Sequence, residues 1–134
     1  MANLKVNFVG LELKSPIIAG SCGLTSDIVK LQEMERCGVG AVVLKSVFEE
    51  QIMQEASQSI SDAGYPEEED YVRNYVRAHT LNQYIGLIKA AKSTLKIPVI
   101  ASINCVRDGE WVDFACQLEN AGADAIECFY FTFG

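Results

Sequence analysis

Two short apolar runs, each followed directly by small or polar side chains, constrain the fold of this chain more than any other feature. The first run covers residues 17–19 and the second covers residues 41–44. Polar groups that follow parallel strands meet at the carboxyl edge of a sheet, where a parallel α/β barrel builds its active site. The residues in these places are Gly20, Ser21, Cys22 and Gly23 after the first run, and Lys45 and Ser46 after the second.

These residue types point to a ligand at that edge. Because Gly20, Ser21 and Cys22 carry so little side chain, their backbone can approach a flat or phosphorylated ligand closely. Lys45 follows an apolar strand of the kind that is buried on both faces, so its charge needs a partner. An anionic ligand, an electron-rich cofactor ring or the carboxylate of Glu49 or Glu50 would supply one. The structural alternative is a lysine that only reaches water.

The remaining pattern predicts an α/β fold in one domain, with a β-hairpin followed by four parallel βα units. Glycine stops two helices at equivalent points, in residues 37–40 and 121–124, so one helix–turn–strand unit recurs. Thr25 or Ser26 is expected to cap the first helix. The predicted hairpin covers residues 4–14, the strands lie near residues 17–20, 41–45, 98–103 and 125–131, and the helices cover residues 25–36, 50–62, 81–95 and 108–120.

Other side chains are assigned by pattern alone. Asn104 ends the third strand, where its amide suits the edge of a pyrimidine or a flavin, or simply forms a turn. The long connection over residues 49–80 suits a lid, although its acidic run 67–70 is best explained as a solvated face. Tyr71 and Tyr75 suit contact with a partner or packing equally well. The last helix is expected to turn Trp111, Val112, Phe114, Ala115 and Leu118 toward the core.

Composition limits the function classes. The chain has 134 residues, a net charge of −7 and 49% hydrophobic residues, which argues against binding to nucleic acid or to an anionic membrane. Five cysteines without a Cys-x-x-Cys pair, and a lone histidine, His79, predict neither a disulfide framework nor a metal site. With no apolar run of about 18 residues and no leader, the chain is expected to be cytoplasmic and reduced.

Three motifs carry a resemblance to a known family. They are Pro-Ile-Ile-Ala-Gly-Ser at residues 16–21, Leu-Lys-Ser-Val-Phe-Glu-Glu-Gln-Ile at residues 44–52, and Ile-Pro-Val-Ile-Ala-Ser-Ile-Asn at residues 97–104. Together with the preceding hairpin they resemble the dihydroorotate dehydrogenase family of flavin-dependent (β/α)8 TIM barrels, from Leu4 to about Glu127. A complete barrel needs about 250 residues, so the resemblance covers the amino-terminal half of one.

The resemblance implies an FMN-dependent oxidoreductase of pyrimidine biosynthesis, which moves a hydride between a dihydropyrimidine such as dihydroorotate and FMN. The lysine is then expected to stabilise negative charge on the reduced flavin. No residue of this half is predicted to be catalytic. The residues implied to bind the cofactor are Gly20, Ser21 and Cys22 through their backbone, Ser46 by a hydrogen bond, Lys45 by its charge, and Asn104 at the ring or the substrate.

The resemblance fails after Glu127. Family members continue with Leu-Asn and a loop bearing a base, whereas this chain reads Cys128-Phe129-Tyr130. A second lysine and the phosphate grip belong to the later half, so the chain is expected to be a truncated, inactive half that forms a homodimer or larger assembly. The alternatives are a non-catalytic assembly fragment and a barrel enzyme that binds a phosphorylated metabolite without redox chemistry.

Overall fold

The computed structural model describes residues 2–48, 54, 57–58, 69–104 and 110–129. Of the helix predicted over residues 50–62, only Gln54, Ser57 and Gln58 are described, and all three are helical. The first half of the acidic run 67–70 lies outside the described residues. So do residues 130 and 131, the end of the fourth predicted strand.

A β-hairpin opens the chain, as predicted. Strand β1 (Val6–Phe8) pairs antiparallel with β2 (Leu11–Leu13). The two-residue turn has positive φ at both positions, 46° at Val9 and 81° at Gly10, which is the type I′ geometry that matches the twist of a hairpin. Glycine adopts this conformation without strain, whereas β-branched Val9 does so at a cost.

The main sheet is parallel and contains four strand positions in chain order. β3 (Ile18–Ala19) pairs with β4 (Ala41–Val43), which pairs with β6 (Val99–Asn104). β7 (Ala125–Phe129) pairs along one edge of β6. β4 and β5 (Val47–Phe48) share the opposite edge, where β4 pairs with the start of β6 and β5 with its end. The predicted α/β fold with a hairpin and four parallel strands is therefore confirmed at the level of the sheet.

In the part of the chain that the structure describes, three helices pack on one face of this sheet. They are α1 (Ile28–Arg36), α2 (Glu69–Thr94) and α3 (Glu110–Asn120). The prediction that Thr25 or Ser26 caps α1 was wrong, because both belong to a short 3-10 turn that precedes it. The cap is Asp27, whose Oδ1 accepts a hydrogen bond from the Val29 backbone N–H at 2.9 Å.

Helix α2 begins twelve residues before the predicted start at residue 81. Its amino-terminal half has few core contacts, and local pairs support it instead: the Tyr75 and His79 rings stack with centroids 6.4 Å apart. Arg77 also lies over the Phe114 ring of α3, 5.0 Å from its centroid. In α3 the inward positions are Phe114 and Leu118, whereas Val112, predicted to face the core, is 51% exposed.

The core divides into two clusters on opposite faces of the sheet. Val99, Ala101 and Ile103 of β6 pack with the helices, whereas Ile100 packs with Leu13 of the hairpin. Because side chains alternate along a strand, Ser102 and Asn104 share the face of Ile100. The hairpin covers the lower part of that face, at the amino end of the strands. None of the helices in the described part of the chain is long and apolar enough to cross a membrane.

The predicted glycine stops are confirmed. φ is +97° at Gly38 and +108° at Gly122, directly after α1 and α3. After each glycine, the next backbone N–H returns to the helix, from Val39 to Met34 and from Ala123 to Leu118. This is the Schellman ending, which requires the left-handed conformation that glycine adopts most easily. The recurring helix–turn–strand unit therefore has the same local geometry at both places.

Candidate functional site

A bulge separates β4 from β5 and shapes the carboxyl edge of the sheet. Val43 pairs with Ile100 and Val47 pairs with Ile103, so residues 44–46 lie opposite only two residues of β6. The extra residue interrupts the hydrogen-bond ladder, as bulges near functional sites commonly do. Leu44 still donates its N–H to the Ile100 carbonyl at 2.9 Å, so the interruption starts at Lys45.

Four side chains from four consecutive strand positions form a continuous hydrogen-bonded chain at this level. The Ser21 and Ser46 Oγ atoms are 2.9 Å apart, the Ser46 and Ser102 Oγ atoms are 2.6 Å apart, and Ser102 Oγ donates to Glu127 Oε2 at 2.8 Å. The Ser46 backbone N–H also donates to Ser21 Oγ at 2.8 Å. We call these four residues the polar chain.

Tyr84 of α2 completes the bulge from the helix side. Its hydroxyl accepts a hydrogen bond from the Ser102 N–H at 2.9 Å and donates to the Ser102 carbonyl at 3.3 Å. These two backbone groups face the β4–β5 edge, where the bulge removes their partner strand. Burial, opposed by the Ser102 hydrogen bond and reinforced by the Glu127 charge, raises the pKa of Tyr84 to about 12.

Asn104 is the buried polar residue at the end of β6, two positions beyond Ser102 and on the same face. It is 7% exposed, and its Oδ1 has no hydrogen-bond partner among the described residues. An unpaired buried acceptor costs about 1–3 kcal/mol. Successive same-face positions of a strand are about 7 Å apart, so this free carbonyl lies next to the polar chain.

The loop after β3 combines a fixed end with open space. Thr25 is fully buried, donates to the Cys22 carbonyl through Oγ1 at 2.9 Å and accepts from the Cys22 N–H at 3.2 Å. A Cβ added at Gly20 or Gly23 would meet no described atom within 4 Å, and neither glycine has positive φ. Packing and backbone strain within the described residues therefore do not require glycine at these two positions.

Lys45 lies at the surface, in agreement with the alternative of a lysine that reaches water. The residue is exposed, and it forms no ion pair or hydrogen bond with the residues that the structure describes. The expected partners Glu49 and Glu50 lie outside those residues. The bulge at residues 44–46 takes Lys45 out of the strand while Ser46 stays buried, so a partner for the Lys45 charge stays a prediction.

The structure brings together Ser21 and Ser46, both predicted from sequence, and adds three residues that sequence reasoning missed: Ser102, Glu127 and Tyr84. Cys22 is exposed, and its backbone anchors the loop. A serine and a glutamate inside otherwise apolar strands were available signals, since buried polar groups need partners. Tyr84 could not be recognised as a site residue from the sequence, because it lies on the apolar stripe of α2.

Neighbouring groups add little chemistry. Burial and the Glu127 charge raise the pKa of the Cys128 thiol, which makes it less reactive at neutral pH. His79 is exposed and hydrogen-bonded to Gln83 at 3.0 Å. Within the described residues no cluster of three His, Cys, Asp or Glu could hold a metal ion.

The opposite, amino end of the strands carries a groove of about 400 Å³. Glu35, which lines this groove, is already paired: its Oε1 accepts from the Lys96 and Ile97 N–H groups at 2.7 and 3.1 Å, and its carbonyl accepts from Lys14 Nζ at 3.1 Å. The carboxyl edge differs because it retains the unpaired Asn104 acceptor beside open backbone. We therefore assign the candidate site to the carboxyl edge.

Comparison of the chain with protein-family models and with curated proteins finds no match.

Proposed function

We propose that this chain supplies the part of a flavin site that contacts the isoalloxazine ring, in an FMN-dependent oxidoreductase of the dihydroorotate dehydrogenase type. The observation that carries the proposal is the polar chain, which joins four parallel strand positions at the carboxyl edge, beside the open backbone of Gly20. On this proposal the sheet is one half of a (β/α)8 barrel, and the reaction is oxidation of a dihydropyrimidine in pyrimidine biosynthesis.

Each residue has a distinct role toward FMN. The backbone at Gly20, Ser21 and Cys22 would lie along the ring, where the missing side chains leave room for it. Asn104 would bond a polar ring atom or the substrate. Bound FMN would supply the hydride acceptor, and Lys45, exposed and without a partner among the described residues, would place positive charge where reduction adds negative charge.

The phosphate-binding alternative has less support. The amino end of α1 is the nearest helix terminus to the loop, but the Asp27 carboxylate already caps it. A phosphate there would meet a negative charge where free N–H groups are needed. We therefore propose that the ring, rather than the phosphate, is the group bound at this edge.

Substrate turnover requires more than this edge. Cys128 and Phe129 stand where the resemblance implies Leu-Asn and then a base-bearing loop. Positioned proton transfer contributes roughly 10²- to 10⁴-fold to a rate. We expect the chain on its own to bind flavin weakly and to leave dihydroorotate unoxidised.

Association with a second copy follows from the surface. The outer edges of β3 and β7 are unpaired among the described strands, and Val29 of α1, Val112 of α3 and Phe129 of β7 are 62%, 51% and 45% exposed. Open parallel edges and exposed apolar groups favour pairing. We propose a homodimer or larger assembly, and a cytoplasmic location in which the exposed thiols of Cys22 and Cys128 stay reduced.

The test is a fluorescence titration of the purified chain with FMN and with riboflavin. Because the site contacts the ring alone, both flavins should bind with similar, weak affinity. Gly20→Ala should weaken both, since its methyl group occupies the space for the ring, and Lys45→Ala should weaken binding of the reduced flavin more than that of the oxidised form.

Two controls separate binding from folding. Gly20→Ala should keep the wild-type melting temperature, because the new Cβ meets no described atom within 4 Å. Lys45→Arg keeps the charge and should retain reduced-flavin binding. Absence of flavin binding by the wild type, or unchanged binding by Gly20→Ala, would refute the proposal.

A further inference from the structure

The polar chain has a fixed direction, set by its charged end. A carboxylate only accepts hydrogen bonds, whereas each hydroxyl donates one and accepts up to two. Ser102 gives its hydrogen to Glu127, so it must accept at Oγ from Ser46. Ser46 has then used its hydrogen, and the 2.9 Å contact requires Ser21 to donate to Ser46.

This direction leaves no hydroxyl hydrogen for a ligand. Ser21 Oγ donates to Ser46 Oγ and accepts from the Ser46 N–H, which leaves one lone pair. Ser46 and Ser102 are 8% and 0% exposed, whereas the two ends of the polar chain, Ser21 and Glu127, are half-buried, so Ser21 is the hydroxyl of the chain that a ligand can reach. The edge therefore presents an acceptor at Ser21.

Asn104 supplies independent evidence that this edge presents hydrogen-bond acceptors. Its Oδ1 is a second acceptor on the face that carries Ser102, buried and unpaired among the described residues. A bound donor would remove the cost of that unpaired carbonyl. Lys45, which adjoins Ser46 in sequence, disfavours a cationic donor by repulsion. An anion would meet lone pairs at both Ser21 and Asn104.

We infer that this edge selects an uncharged, flat ring by its N–H groups, with Ser21 Oγ and Asn104 Oδ1 as acceptors and Glu127 as the positioning residue that fixes their polarity through Ser102 and Ser46. The inference deepens the proposed function, on which it rests, by naming what the ring presents at this edge. At these two atoms, a group that offers only lone pairs, such as a carbonyl or an anionic oxygen, finds no hydrogen to accept.

The experiment compares three small probes by NMR titration of the full chain. Uracil has two N–H donors, 1,3-dimethyluracil has none, and unsubstituted pyrimidine has none and is smaller than uracil. Losing a hydrogen bond and leaving a buried acceptor unpaired corresponds to about tenfold or more in affinity. We expect uracil to bind at least about tenfold more tightly than either donor-free ring, and inorganic phosphate to leave the Ser46 and Asn104 signals unchanged.

Ser102→Ala tests the direction of the chain. It removes one buried oxygen and frees the Ser46 and Ser21 hydroxyls to donate, so the preference for uracil over pyrimidine should fall several-fold. Glu127→Gln, which can donate to Ser102 and reverse the chain, should have the same effect. A reduced preference in Ser102→Ala would not come from a changed contact between residue 102 and the probe, since Ser102 is fully buried.

The outcomes are distinct. Equal binding of uracil and pyrimidine, no binding of uracil, or an unchanged preference in both variants would overturn the inference. Flavin binding without selection of N–H donors would leave the proposed function standing and refute this inference alone. Selection of uracil without flavin binding would refute the proposed function and leave the selection of N–H donors standing.

Discussion

The hydroxyl of Tyr84 takes the place of a neighbouring strand where β4 and β5 are interrupted. It pairs both the N–H and the carbonyl of Ser102, so β6 keeps its course through the bulge. The phenol can fill both roles only while it is protonated. The raised pKa of Tyr84 has the same origin, because burial opposes the charged phenolate.

Tyr84→Phe should lower the free energy of unfolding by about 1–3 kcal/mol below pH 10, since two buried backbone groups lose their partner. Between the usual tyrosine value of 10 and the folded value of about 12, the unfolded state ionises first. The wild type then loses up to about 2–3 kcal/mol as the pH rises. The variant lacks this loss, so the difference in unfolding free energy between the two proteins should shrink as the pH rises above 10. Urea unfolding on both sides of pH 10 measures this difference.

Tyr71→Phe is the matched control for this comparison, because Tyr71 lies on the same helix and is 72% exposed. It should follow the wild type at every pH. A constant difference between wild type and Tyr84→Phe across the alkaline range would contradict the assigned cause of the shift.

At the level of elements, sequence patterns placed the strands well and their interruptions poorly. Apolar runs, two of them preceded by a glycine that ends a helix, located all four strand positions within one or two residues at their starts, because burial and helix stops act locally. The bulge at residues 44–46 depends on the register between β4 and β6, which no local pattern encodes. Ser21 and Ser46 were predicted as site residues because each follows an apolar run in the sequence. Their hydrogen bonds to Ser102 and Glu127 depend on the register between strands and were not predicted.

The contact between hairpin and sheet depends on Gly40. A Cβ at this position would overlap the Ser15 carbonyl oxygen and press on the Leu13 Cβ. Gly40→Ala should therefore destabilise the protein by about 1–3 kcal/mol, because the backbone must shift. Thermal and urea unfolding measure this effect.

Gly86→Ala is the matched control, since Gly86 lies within α2 and its added Cβ would meet no described atom within 4 Å. It should stabilise the protein by about 1 kcal/mol through helix propensity. Similar effects of the two substitutions would show that the close approach at Gly40 does not matter.

At the level of the whole molecule, the two ends of the sheet have different properties. The amino end is closed by the hairpin, and the Glu35 carboxylate and carbonyl in its groove are paired. The carboxyl end gathers the polar chain, the free Asn104 acceptor and exposed Lys45. Strand order made this separation predictable from sequence, because parallel strands bring all their carboxyl ends to one edge. Which groups stay unpaired there could not be predicted, since that depends on side-chain geometry.

The most direct test of the flavin-site proposal is to map riboflavin binding on the ¹⁵N-labelled chain by amide chemical shifts. Under the flavin-site proposal, shift changes at Gly20, Ser21, Ser46 and Asn104 should saturate together, with the amides of Lys14, Glu35 and Lys96 at the other end unchanged. Changes centred on the amino-end groove, or no saturable change at the carboxyl edge, would contradict it.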